Sequence, residues 1–255
     1  MTKERVDGRG AIEWLERARV PGPAGIAFDA DGTLWAGDVG EDVFETACDT
    51  EFVRDEPREG LERVCAAHGL PVNGSPSELA RRIYAAYRNG QVDELLTCEV
   101  MTWSYAGHSP DDLVGFAREA LAARKLVDRV RRALEPVFEF ALREEIRTVV
   151  VSASPEVIVT EALRMAGIAV SAMKGAQPAV SDGRIQPRLA GRVPYGPEKP
   201  VAGRELLSGH DWLGSFGDNA FDVEMLKAAR IGVAVHPKPA LVARLGELSN
   251  VVVLE

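Results

Sequence analysis

Short apolar runs alternate along this chain with segments of helical spacing, and that alternation limits the folds open to it more than any other feature. Residues 24–28, 148–151, 168–170, 212–216, 231–235 and 251–254 read as buried strands. Apolar residues at i, i+3 and i+4 mark helices near 10–19, 155–166, 197–208 and 221–229, and Ser181-Asp182-Gly183-Arg184 reads as a hairpin turn. Strands alternating with helices predict an α/β protein built on a doubly wound parallel sheet. One gap breaks the rhythm. More than a hundred residues separate the first run from the second, and this interval is helical in pattern around 41–53, 57–69, 77–89, 92–102 and 110–132. The expected organisation is a core of residues 1–34 and 133–255 with a helical insert over 35–132.

Composition narrows the chemistry. Hydrophobic residues make up 46% of the chain, enough for a sizeable core, and 30 basic against 39 acidic residues leave a net charge of −9. That balance argues against a nucleic-acid partner. No stretch approaches the ~18–20 apolar residues of a membrane span, and MTKERVDGRG has no apolar signal region, so the expectation is a cytoplasmic protein without a membrane partner. The sequence leaves the oligomeric state open. Cys48, Cys65 and Cys98 are odd in number and read as reduced thiols. The four histidines form no ligand pair, which disfavours zinc. Any reaction here falls to carboxylates.

Ligands of doubly wound sheets bind beyond the carboxyl ends of the strands. Three of these ends are polar: Asp29-Ala30-Asp31-Gly32-Thr33, Ser152, and Gly217-Asp218-Asn219-Ala220-Phe221-Asp222. Each alone is an ordinary turn or cap. Together with Lys199 in GPEK, and in this order, they resemble the haloacid dehalogenase-like hydrolase superfamily, in its phosphoserine-phosphatase-like branch with a helical cap inserted after the first motif. That resemblance implies a Rossmann-like core and a phosphatase working on a small phosphorylated metabolite.

Residue types fit such chemistry. An aspartate is ionised at neutral pH and attacks phosphorus without a base, which points to Asp29. Asp31, two residues on, suits the proton transfers to the leaving group and from water. Two carboxylates repel a phosphate unless a cation offsets them, and oxygen ligands favour Mg²⁺. By resemblance, the metal ligands would be Asp29, the backbone carbonyl of Asp31, Asp218 and Asp222. Thr33 would tie the loop, and Ser152, the backbone N–H groups around Ala153, and Asn219 would meet the phosphate. Lys199 would neutralise charge, with Lys174 as its competitor. Ser154 competes with Ser152, since Ser154-Pro155 also suits a helix start.

The chain departs from phosphoserine phosphatases at Gly32, Ala153-Ser154 and Phe221, which leaves the ester open. Substrate choice is expected in the insert, closing over the cleft. Trp35 and Asp38 lie where the insert begins. In the phosphoserine phosphatases an acidic residue nine positions after the nucleophile meets the substrate ammonium, and Asp38 holds that place. The resemblance therefore raises an amine-bearing ester such as phosphoserine or a choline or ethanolamine phosphate, against a plain role for Asp38 as a helix cap. A phosphomutase and a non-catalytic phosphate-binding module are the alternatives.

Overall fold

The computed structural model describes residues 3–255. In chain order the elements are β1 (Arg5–Val6), α1 (Gly8–Ala18), β2 (Ala24–Phe28), α2 (Val39–Asp49), α3 (Arg58–Ala67), α4 (Pro76–Arg88), α5 (Glu94–Trp103), α6 (Pro110–Ala123), α7 (Glu135–Arg143), β3 (Arg147–Pro155) and α8 (Glu156–Ala166). They continue with β4 (Ala172–Ala176), β5 (Pro178–Ser181), β6 (Arg184–Leu189), α9 (Glu198–Leu206), β7 (Asp211–Gly217), α10 (Val223–Ala228), β8 (Ile231–Val235), α11 (Pro239–Val242) and β9 (Val251–Leu254). Among the described residues, seven strands pair in the order β1-β9-β8-β7-β2-β3-β4, all parallel, as the alternation predicts.

Every residue of β2 is buried, because helices cover both faces of the sheet. Ile26 and Phe28 point to one face and share a cluster with Leu15 of α1, Val137 and Phe140 of α7, and Ile158 of α8. Ala27 points the other way, with Val149 and Val151, against Ala202, Leu207 and Met225. Phe28 stacks on Phe138 and Phe216 at centroid distances of 4.7 and 4.6 Å. The chain leaves β2 for β3 on one side and later returns to β7 on the other. The end of β2 is therefore a topological switch point.

Two expectations need correction. Residues 168–170 form no strand; β4 starts at Ala172. Gly167, at φ 69°, ends α8 in the left-handed region, and the backbone N–H of Ile168 donates to the Leu163 carbonyl at 3.0 Å. The apolar run at 168–170 thus begins as the hydrophobic closure of a helix end. The 110–132 pattern also ends early, at Ala123, because the chain must turn back to the core. Val130 bridges Trp35, and the Arg131 N–H donates to the Leu34 carbonyl at 2.9 Å. β1, two residues long and at the sheet edge, carries no pattern that marks it.

Between β2 and β3 the chain forms α2 to α7, of which α2 to α6 make up the insert. Capping boxes with proline at the start fix α4 (Ser75, Glu78) and α6 (Ser109, Asp112). The insert's interior, with Phe44, Leu61, Ile83 and Tyr105, belongs to the same cluster as one face of the sheet. Two further links join insert and core. Glu161 of α8, almost wholly buried, takes Arg118 of α6 at 2.6 Å and Arg164 of its own helix at 2.7 Å. The β5–β6 hairpin, turning through Asp182 and Gly183 at positive φ as the sequence suggests, exchanges backbone hydrogen bonds with the end of the insert. Gly107 donates to the Ile185 carbonyl and Ile185 to the His108 carbonyl, each at 2.9 Å.

Candidate active site

The backbone of Asp29 continues the β2 ladder, its N–H donating to the Phe216 carbonyl at 2.8 Å, so the side chain leaves the sheet between β3 and β7. One carboxylate oxygen takes the Thr33 hydroxyl at 2.9 Å, and the other takes the Lys199 ammonium at 2.5 Å. Thr33 and Lys199 are fully buried. Lys199, from the first turn of α9, also donates to Asp222. Burial works against its charge, but Asp222 and Asp29 outweigh burial and hold its pKa above the usual lysine value. Lys174 instead pairs with Glu205 on the surface, which removes it from the site.

The turn after β7 supplies the rest. Asp222 Oδ2 accepts the backbone N–H groups of Asp218 and Asn219 at 3.1 and 2.9 Å, while Asn219 Oδ1 caps the turn through the Ala220 N–H at 2.7 Å. Asp29, Asp218 and Asp222, all buried, each offer an oxygen within 4.8 Å of the others. Burial first, then Asp222, pushes the Asp29 carboxyl well above the ordinary range, with Lys199 pulling against both. Burial also raises Asp218 to about 6 despite Lys238, whose ammonium lies 2.9 Å from its Oδ2. Asp218 Oδ1 is buried without a hydrogen-bond partner. Three buried carboxylates, one orphaned oxygen and only two adjacent ammonium groups fit a hard divalent cation with oxygen ligands.

Gly32 packs against this group. It has φ 82°, and a Cβ there would lie 2.0 Å from Asp218 Oδ2. Gly32→Ala is expected to cost about 1–3 kcal/mol through the left-handed backbone alone and to displace Asp218 as well. Urea midpoints and phosphatase assays on the same preparation check this; an unchanged midpoint with full activity would contradict it.

Asp31 faces the insert instead, and its side chain lies outside the three-carboxylate group. Oδ1 accepts the Trp35 indole N–H at 2.9 Å and the Val39 N–H at 2.8 Å; Oδ2 accepts the Ser154 hydroxyl at 2.7 Å. Trp35 is fully buried, so it positions Asp31 and does not line the cleft. Ser154 caps no helix: α8 starts from Pro155 with no side-chain cap, and Ser154 remains part of β3. Ser152, at the predicted strand end and 1% exposed, accepts the Ser154 N–H at 3.0 Å, beside Ala153. Asp38 Oδ1 caps α2 through the Glu41 N–H at 2.8 Å. Burial, then Asp31 and Glu41, holds its carboxyl well above the usual range.

Three contributors escape the sequence. Lys238 lies in a strand-end loop like the others, His236-Pro237-Lys238, after β8, the neighbour of β7. Arg131 supports the loop after β2 through the Gly32 carbonyl at 2.8 Å, a contact across 99 residues that no local pattern signals. Glu94 of α5 receives the Tyr195 hydroxyl at 3.4 Å, and Tyr195 packs on Phe221. By contrast, a cavity of about 490 Å³ lined by Leu34, Leu134, Phe138 and Ile168 holds none of these carboxylates.

A doubly wound sheet with a buried lysine and three buried carboxylates at its central strand end is the architecture of an α/β protein whose site lies at the switch point. The chain belongs to the haloacid dehalogenase-like hydrolases, whose sequence profile matches residues 26–227. Its fold is similar to that of a protein of unknown function from Bordetella pertussis Tohama I, at TM-score 0.68 and 21% identity over 90% of this chain and 98% of that one. It is also similar to a cytosolic 5'-nucleotidase IIIB bound to cytidine (TM-score 0.61, 15% identity, 94% and 84% covered). A substrate-bound phosphoserine phosphatase is a third likeness (0.54, 14% identity, 91% and 94% covered). No curated protein sequence matches this chain. Among the described residues no helix is long and apolar enough to cross a membrane.

Proposed function

We propose that this chain is a Mg²⁺-dependent phosphatase that hydrolyses a small phosphate monoester through an aspartyl-phosphate on Asp29, with residues 35–132 as its cap. The observation that carries the reading is the Asp29 carboxylate, fixed between Thr33 and Lys199 at the sheet's switch point beside Asp218 and Asp222. Asp29, Asp218, Asp222 and the Asp31 carbonyl would hold the metal ion. When bound, it would offset the negative charge of the phosphoryl group.

An Asp29 oxygen attacks phosphorus, forming one P–O bond as the ester P–O bond breaks. Asp31 gives its proton to the departing oxygen and takes one back from the water that cleaves the acyl phosphate. Ser154, Trp35 and the Val39 N–H fix the direction of that carboxyl, and the Ser154 hydroxyl is able to turn from donor to acceptor when Asp31 carries a proton. Lys199 holds Asp29 in place, and Ser152, the Ala153 N–H and Asn219 face the phosphoryl oxygens. The insert contributes Asp38 and Glu94, the latter reached by the Tyr195 hydroxyl of the core, and these carboxylates suit a cationic substituent, so we take an amine-bearing ester as the preferred substrate. Three buried free cysteines suit a reducing compartment.

Phosphate release from a panel of small esters tests the function. Activity is expected with Mg²⁺ and not in EDTA, with amine-bearing esters ahead of uncharged ones of equal size; no release from any ester would refute it. Asp31→Asn tests the acid, read as the single-turnover rate of aspartyl-phosphate formation. The loss in that step should reach about 10²-fold or more on alkyl phosphates and be far smaller on p-nitrophenyl phosphate, whose leaving group needs no proton. Equal losses in that step on both esters would remove Asp31 from that role.

A further inference from the structure

Lys238 is tied to Asp218 twice. Its backbone N–H donates to the Asp218 carbonyl at 2.8 Å, and its ammonium lies 2.9 Å from Asp218 Oδ2. Pro237 and Pro239 flank it, so the backbone at this loop has little freedom. The two ends of the ion pair differ: the Asp218 side chain is 2% exposed and that of Lys238 is 51% exposed. Its long stem therefore runs through solvent at the mouth of the cleft. The charge of this ammonium is also felt by Asp29 and Asp38, and by Glu94 on the insert. Lys199 stands differently, fully buried and shared between Asp29 and Asp222.

We infer that Lys238 is the resident counter-ion of the metal site, held by Asp218 while no divalent ion is bound and released to the cleft when one binds. This rests on reading Asp29, Asp218 and Asp222 as metal ligands. A carboxylate whose charge is shared with an ammonium is a weaker ligand, and two cations brought side by side repel. The ammonium, on a half-exposed side chain, can swing away without breaking the backbone tie. Lys238 thereby lowers the affinity of the empty protein for the metal.

Calorimetric titration of Mg²⁺ into the full-length, EDTA-stripped protein, without substrate, tests this. Lys238→Met should bind Mg²⁺ about five- to tenfold more tightly than wild type. Lys227→Met, which removes the same charge from a lysine paired with Glu224 and Glu247, should stay within about twofold, since distant exposed charges are screened. Lys238→Gln removes the charge but keeps an N–H donor on a side chain one atom shorter, and serves if the Met variant folds poorly; it should tighten binding likewise. Equal or weaker binding by both position-238 variants, or an equal gain in Lys227→Met, would overturn the inference. If wild type and variants all failed to bind Mg²⁺, the metal reading itself would fall and this inference with it.

Discussion

Asp29→Asn is expected to lower turnover by about 10⁴-fold or more while leaving the fold intact. The amide keeps the shape of the side chain and an acceptor for the Thr33 hydroxyl, but it is not a nucleophile. Lys199 keeps Asp222 as its partner. Removing one of three crowded carboxylates also relieves repulsion, so the thermal midpoint of the metal-free variant should match or exceed that of wild type. Circular dichroism and a melting curve verify the fold. Acid-quenched wild type incubated with radiolabelled substrate should carry phosphate that hydroxylamine releases, and the variant should carry none. Residual activity above the level of a mock preparation, with a native spectrum, would place the nucleophile elsewhere.

Lys199→Met is expected to be the most destabilising single change at the site. Lys199 is fully buried and joins Asp29 to Asp222, so its loss leaves two carboxylates in a dry environment without their shared cation. Breaking such a pair costs about 3–5 kcal/mol, or a fall of roughly 10 °C in melting temperature for a chain of this size. The loss has a pH signature. Burial and the Asp222 charge already hold the Asp29 carboxyl above its ordinary range and Lys199 is what pulls it down, so without the ammonium Asp29 favours the folded state only while protonated and opposes it as pH rises through its raised pKa. The gap in stability between wild type and variant, measured by urea unfolding in EDTA, should therefore widen from pH 5 to pH 8. A gap that is constant or narrows with pH would mean that Lys199 acts through packing alone. Activity should fall by about 10²-fold or more, because Asp29 loses the group that orients it.

What the sequence disclosed and what it withheld follow from the reach of each signal. Strand ends are local, and Asp29, Asp31, Ser152 and Asp218 stand at the ends of runs whose apolar character survives in one dimension. Lys199 was legible through its spacing in a family motif. The direction of a side chain is not local. The sequence places Trp35 at the start of the insert and leaves Ser154 open between rival of Ser152 and helix start, and neither reading shows that both give their hydrogen-bond donors to Asp31, the second across 123 residues. Asp38 is left by the sequence between a substrate contact and a helix cap, and its Oδ1 caps α2; Asn219, expected at the phosphate, caps the turn after β7 through its Oδ1. Lys238 was missed because its meaning depends on β8 lying beside β7, a fact of sheet order. The helices of the insert were legible from capping and periodicity, while the end of α6 was not, since the return to Leu34 and Trp35 is set by tertiary pairing.

The β5–β6 hairpin belongs to the chain after β3, yet its backbone is stitched to Gly107 and His108 of the insert, on a different part of the sequence. Glu161 adds a second seam with Arg118, and the hydrophobic cluster runs through both parts without a break. Such an insert is not a transplantable module. Excised at its two crossing points, it would lose its third edge and part of its interior; replaced by the insert of a relative, it would leave the hairpin without its partner strand of backbone groups. Unfolding of the insert and of the sheet should follow as a single event.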